Sequence, residues 1–227
     1  MKKLVLLALA AASVAMFALP AVASAGEWVL DPAGAAFTAS SNGPTTLTTN
    51  NNETVNCTGS TGSGKYNAGS GTTGTVELTF TGCTESIFGT SCSNTATAGT
   101  ITTTSNLAFT NVYLSDNKET PGTTIAGVGA EKHFATFTCA GGSVKIVVTG
   151  SLLGHSEAPC KTVSKELKNT FESTAHGVQK YMKVTGTEAA EDLTAKVTIF
   201  GATNTRTASQ DGTGILKFNE AATITCV

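Results

Sequence analysis

The chain has 227 residues and a formal net charge of −2, with 13 % of its residues charged and 40 % apolar. So few basic residues, none of them clustered, exclude the counterion-displacing surface that nucleic acid or anionic lipid demands. Low charge with 24 glycines and abundant threonine is also unlike a helical protein, and it suits β-strands joined by glycine-rich turns.

Lys2 and Lys3 precede an apolar run from Leu4 to Leu19, broken only by Ser13, that ends at Pro20 and Ala23-Ser24-Ala25. Two positive charges, a short Ala-rich core and small residues before a cut define a secretory signal peptide over residues 1–25, with one domain over 26–227. The leader carries two of the 14 basic residues and none of the 16 acidic ones, so the mature net charge is −4. No cysteine follows the apolar core to take a lipid, and no second apolar span closes the chain. The expectation is a secreted, extracellular protein, free or held at the cell surface, with no membrane span after cleavage.

Gly26 to Pro32 reads as an extended lead-in carrying Trp28, and the polar residues 40–53 read as an exposed loop or ragged edge. Val76, Leu78 and Phe80 alternate with Thr75, Glu77, Thr79 and Thr81, which predicts a half-buried strand. Another strand is predicted over Leu107–Leu114. The polar stretch Ser115–Thr123 is the one place where the chain could divide, and a loop between sheets is expected there. Phe134 to Cys139, the turn Ala140-Gly141-Gly142 and Val144 to Val148 predict a hairpin. Val163, Leu167 and Phe171, four apart, fit one face of a helix or one side of a strand. Neighbouring strands and the lack of a strong cap favour the strand. Strands are also predicted over Val178–Val184, Leu193–Ile199, Ile215–Phe218 and Ala222–Cys226, with Asp211-Gly212-Thr213-Gly214 as a turn between late strands. No fixed-period repeat is present, which argues against a solenoid or propeller. The fold class is therefore all-β: an antiparallel sandwich, jelly roll or Greek-key barrel, one domain stapled by disulfides.

Six cysteines in an exported chain are expected to pair. Loop geometry ranks Cys83 with Cys92, closing a turn-like loop, then Cys139 with Cys160 at a sheet end, then Cys57 with Cys226. Each closure would stabilise by about 2–4 kcal/mol. There is no C-x-x-C spacing, and His155 and Cys160 stand apart from other ligands, so neither a metal site nor a cofactor is expected.

No catalytic residues can be named. His133, His155 and His176 are scattered, and neither Ser151 nor Ser156 has the flanking glycines of a nucleophile elbow. Glu188, Glu191 and Asp192 cluster without the rhythm of a calcium loop, and Glu77 has no partner carboxylate across a cleft. The Thr-x-Thr pairs, such as Thr79/Thr81 and Thr223/Thr225, read as the outward face of sheets. Tyr181 and Gln179 share one face of the predicted strand 178–184 and are the candidate ligand platform.

The succession Val55-Asn56-Cys57-Thr58, Leu78-Thr79-Phe80-Thr81-Gly82-Cys83-Thr84, Cys92, Gly99-Thr100-Ile101-Thr102-Thr103, Phe134-Ala135-Thr136-Phe137-Thr138-Cys139 and Val148-Thr149-Gly150-Ser151 resembles a group of uncharacterised secreted β-rich proteins of soil actinobacteria. The similarity spans most of residues 50–185. It implies a bacterial, exported, disulfide-bonded all-β protein and brings no activity with it.

The function expected is a non-catalytic binding or structural module of the envelope or extracellular matrix, with a cell-wall or extracellular polysaccharide as partner. The alternatives are a jelly-roll hydrolase on polysaccharide or cell wall, which needs two opposed carboxylates across a cleft, and a self-assembling surface subunit, which needs an exposed edge strand.

Overall fold

The computed structural model describes residues 27–114, 120–158, 160–185 and 192–226. The expected signal peptide, most of the polar stretch 115–123, and both Glu188 and Glu191 lie outside the described residues. Most of the described chain is strand, and no α-helix is present among the described residues. β1 (Trp28–Asp31), β2 (Ala36–Ser41), β3 (Thr45–Thr49), β4 (Thr54–Cys57), β5 (Gly59–Tyr66) and β6 (Thr73–Thr81) come first. The short β7 (Thr84–Glu85), β8 (Cys92–Ser93) and β9 (Ile101–Thr102) precede β10 (Leu107–Tyr113), β11 (Pro121–Ala126) and β12 (His133–Cys139). Then follow β13 (Val144–Glu157), β14 (Thr162–Phe171), β15 (Ser173–Ala175), β16 (Val178–Gln179), β17 (Leu193–Ile199) and the 25-residue β18 (Ala202–Cys226). No helix among the described residues is long and apolar enough to cross a membrane.

Every pairing is antiparallel, and the pairings close. β2, β5, β6, β10, β11, β13, β14 and β18 form a ring in which each strand bonds the next and β18 returns to β2. That closed ring is a barrel, which removes the unpaired edges an open sheet would leave. A second sheet runs β8-β12-β13-β17-β18-β3-β4-β7, and a bridge between Thr84 and Ser91 joins its two ends. The two sheets share their longest strands. β13 pairs β12 and β17 up to Gly150, then β11 from Ser151 onward and β14 from His155. β18 pairs β17 and β3 through Asp211, then β14 and β2 beyond it. One apolar core, containing Phe37, Tyr66, Phe109, Phe137, Val148 and Leu193 among others, runs through both sheets.

The all-β, antiparallel, disulfide-stapled fold agrees with expectation. So do the hairpin of β12 and β13, turned by a 3-10 segment at Ala140–Gly142, and the strand over 163–171. In that strand a register shift between Ser164 and Glu166 breaks the alternation, so Val163 faces solvent while Leu167 is buried.

The extended lead-in is strand β1, which pairs with the end of β18, and its Trp28 indole is fully buried with Nε1 donating to Gly122 O at 2.9 Å. Three expectations are corrected. Residues 40–53 are not one exposed loop: Ser40-Ser41 end β2, and Thr45–Thr49 form β3 against β4 and β18. In the predicted strand 178–184 only Val178–Gln179 is paired as strand. Asp211-Gly212-Thr213-Gly214 is not a turn but the point where β18 passes from one sheet to the other. Gly212, at φ +154°, stays opposite Phe171 there.

The disulfides are Cys57–Cys83, Cys92–Cys139 and Cys160–Cys226, so all three expected pairs, Cys83–Cys92, Cys139–Cys160 and Cys57–Cys226, are corrected. Register decides them. Cys139 lies directly opposite Cys92 in the β8–β12 pair. The bond from Thr58 N–H to Thr81 O sets Cys57 beside Cys83, and that from Lys161 N–H to Ile224 O brings Cys160 to Cys226. The loop 83–92 that a bridge was expected to close is closed instead by Glu85. Its buried carboxylate accepts from the backbone N–H groups of Ile87, Phe88 (2.8 Å) and Thr90 (3.0 Å) and from Thr90 Oγ1 (2.7 Å).

Candidate functional site

In a strand, alternate residues face the same side. On β18 the inward series is Gln210, Gly212, Gly214 and Leu216, and all four line one cavity. Two successive inward positions therefore carry no side chain. A Cβ placed on Gly214 would meet nothing within 4 Å, and one on Gly212 would lie 2.8 Å from Thr45 Cγ2. The cavity has a volume of about 150 Å³ and sits where the barrel meets the second sheet.

Seven aromatic rings line this cavity: Phe37, Tyr66, Phe80, Phe109, Phe134, Phe137 and Phe171. Several stack edge to face, Tyr66 with Phe109 at 4.8 Å and Phe37 with Phe109 at 5.7 Å between centroids. No charged side chain is in the lining. Tyr66 donates its hydroxyl to Asn111 Oδ1 at 3.3 Å, and burial pushes its pKa well above the usual phenol value, so it stays neutral.

The polar groups of the wall gather around the two glycines. Asn169 on β14 lies opposite Gly214, Gln210 precedes Gly212 on the same face of β18, and Thr45 touches the Gly212 position. Ser156 donates to Asn169 Oδ1 at 2.6 Å, so Thr123, 2.8 Å away, must donate to Ser156. This relay uses the Asn169 oxygen and leaves its Nδ2 without a partner among the described residues. Gln210 Nε2 donates to Asp211 O at 3.2 Å, and its Oε1 has no partner there either. Thr45 is 6 % exposed, and its hydroxyl makes no hydrogen bond among the described residues.

The ligand platform expected at Tyr181 and Gln179 is not assembled. β17 pairs β13 only to Gly150, and β14 pairs it only from His155 onward, so Ser151 and Leu153 lack a strand on that side. The buried Gln179 amide stands in for it, donating to Ser151 O at 3.0 Å and accepting from Leu153 N–H at 3.2 Å. Tyr181 is half-buried against Val112, Leu153 and Val184. The Lys180 ammonium lies 5.3 Å from its ring centroid and is bound to Glu172 at 2.7 Å, which raises the lysine's pKa.

The other candidates are dispersed. His133 places its ring nitrogens 2.7 Å from Thr104 Oγ1 and 2.9 Å from Thr136 Oγ1. His155 and Ser156 are adjacent in sequence and so point to opposite sides of β13, the serine inward. His176 is exposed beside Gly177, and Asp192 is placed by its carbonyl, which accepts from Ser151 N–H. Among the described residues no three His, Cys, Asp or Glu side chains gather to hold a metal. The outward threonines pair across strands, Thr149 with Thr194 at 2.8 Å and Thr198 with Thr203 at 2.9 Å.

Sequence reasoning missed the cavity altogether. Its available signal was the glycine pair 212/214, in phase with Gln210 and Leu216, together with six of the chain's ten phenylalanines in the lining. Compared with family models, curated proteins and solved structures, the chain matches none.

Proposed function

We propose that this is a non-catalytic extracellular binding module that encloses a small apolar molecule in the cavity beside Gly212 and Gly214. The carrying observation is an apolar void of about 150 Å³ held open by two adjacent inward glycines. At about 24 cal/mol per Å³, leaving it empty costs about 3.6 kcal/mol, a large fraction of a domain's net stability. Any branched aliphatic residue at 214 would reduce that cost, so a void kept open there is best explained by an occupant. An engineered cavity of about this volume, lined by similar side chains, stays dry and takes up benzene. Drug-sized ligands need roughly 300 Å³ or more, so the occupant is a compact ring or short chain of about six to ten heavy atoms.

Secretion is supported by the leader and by the three bridges, which persist in an oxidising compartment. A polysaccharide partner loses its support with the Tyr181 and Gln179 platform. Titration of the mature protein with toluene, followed by NMR shifts of the Phe37, Phe109 and Phe137 rings, tests the reading. Saturable shifts that Gly214→Val abolishes are expected. Shifts absent in the wild type, or unchanged in a folded Gly214→Val, would overturn it.

A further inference from the structure

We infer that the ligand is an uncharged ring compound bearing one hydroxyl, a small phenol, with the hydroxyl seated between Gln210 and Asn169. This rests on the cavity reading above and goes further by assigning the ligand's chemistry.

Three observations converge. No charged side chain lines the cavity, so a carboxylate or an ammonium entering it would be buried without a counterion, and the ligand must be neutral. The walls are aromatic and already meet edge to face, the arrangement that receives another flat ring best. The third observation carries the assignment. A purely apolar ligand needs no polar group in the wall, yet two side chains beside the glycine pair line the cavity with unspent hydrogen-bonding capacity. Asn169, 5 % exposed, turns its oxygen to Ser156 and keeps two amide hydrogens, and Gln210 keeps its Oε1. Polar groups inside a protein are nearly always satisfied, so an unpaired donor and an unpaired acceptor at one cavity call for a partner there. One hydroxyl answers both, accepting from Asn169 Nδ2 and donating to Gln210 Oε1. The volume excludes a sterol or a long acyl chain and admits a single ring.

Phenol and toluene are nearly isosteric, one carrying a hydroxyl where the other carries a methyl, and they separate this inference from the one beneath it. In a wholly apolar void toluene binds tighter, because phenol leaves its water hydrogen bonds and finds none. With the two partners in place the order inverts. By calorimetry on the mature protein, phenol is expected to bind about tenfold tighter than toluene, a difference of about 1.4 kcal/mol. Gln210→Leu should erase most of that preference and leave toluene affinity unchanged. Benzoate should not compete. Toluene equal to or tighter than phenol would overturn the hydroxyl seat while leaving the cavity reading intact, and so would a phenol preference untouched by Gln210→Leu. Benzoate binding tighter than phenol would overturn the neutral-ligand assignment. If neither phenol nor toluene binds, the cavity reading fails, and this inference with it.

Discussion

β5 and β18 present the same inward pattern with opposite results. Each places two alternate glycines on the barrel's inner face, Gly62 and Gly64 on one, Gly212 and Gly214 on the other. At β5 the space is filled. The Phe37 ring lies where a Gly64 side chain would go, Leu78 Cδ2 would be 2.8 Å from a Cβ on Gly62, and backbone oxygens of Glu77 and Thr75 close in behind. At β18 no neighbour crosses to fill Gly214's side of the face, and the cavity remains. A glycine in a strand thus admits either a neighbour's ring or open space, and the strand sequence does not say which.

Substitution breaks this comparison most directly at β5. Gly64→Val must displace the Phe37 ring and press on Thr75 O, so we expect a loss of about 3 kcal/mol or more in urea unfolding followed by the fluorescence of Trp28, the sole tryptophan. The same change at the other strand should have the opposite sign. Gly214→Val fills open space and is expected to stabilise by about 2 kcal/mol, from roughly three buried carbons at about 0.8 kcal/mol each. A stability gain accompanied by loss of toluene binding would mark the void as functional rather than accidental. A destabilised Gly214→Val would mean that the two strands do not differ as described.

Polar groups offer a sharper version of the same contrast, since Glu85 spends every bond that Thr45 leaves unspent. Burial pushes the Glu85 pKa upward, but its bonds to the Thr90 side chain and to the backbone of Phe88, Thr90 and Ile87 outweigh that and hold it below the ordinary 4.5. A depressed carboxylate stabilises the fold above its unfolded pKa, and that contribution fades as pH falls through the lower folded value. Glu85→Gln is expected to lose about 2 kcal/mol at pH 7, with the difference from wild type shrinking below about pH 4. A difference that stayed constant down to pH 3 would show that the charge is not what holds the loop. The smallest effect belongs to Tyr181→Ala, which leaves the cavity untouched. Toluene and phenol affinities should then change by less than about twofold, within the usual range of substitutions remote from a site.

Local pattern was enough wherever a residue's neighbours in sequence decide its state. The alternation of Val76, Leu78 and Phe80 announced β6, and Ala140-Gly141-Gly142 announced the turn into β13. It failed where long-range pairing decides. Asp211-Gly212-Thr213-Gly214 has the composition of a turn, but hydrogen bonds from β14, β2 and β3 hold it extended through the change of sheets. Gln179 looked like a binding residue because nothing in sequence shows that β17 stops at Gly150 and leaves the backbone of β13 to be satisfied.

Composition and periodicity by themselves determined the all-β class, the antiparallel hairpins and the supply of aromatic residues for a core. These follow from preferences that act within a few residues along the chain. The closure of the rings, the partner of each cysteine and the void beside Gly214 were decided only in three dimensions. Each depends on which strand lies alongside which, and in what register, and that is fixed by the packing of distant segments on a common core.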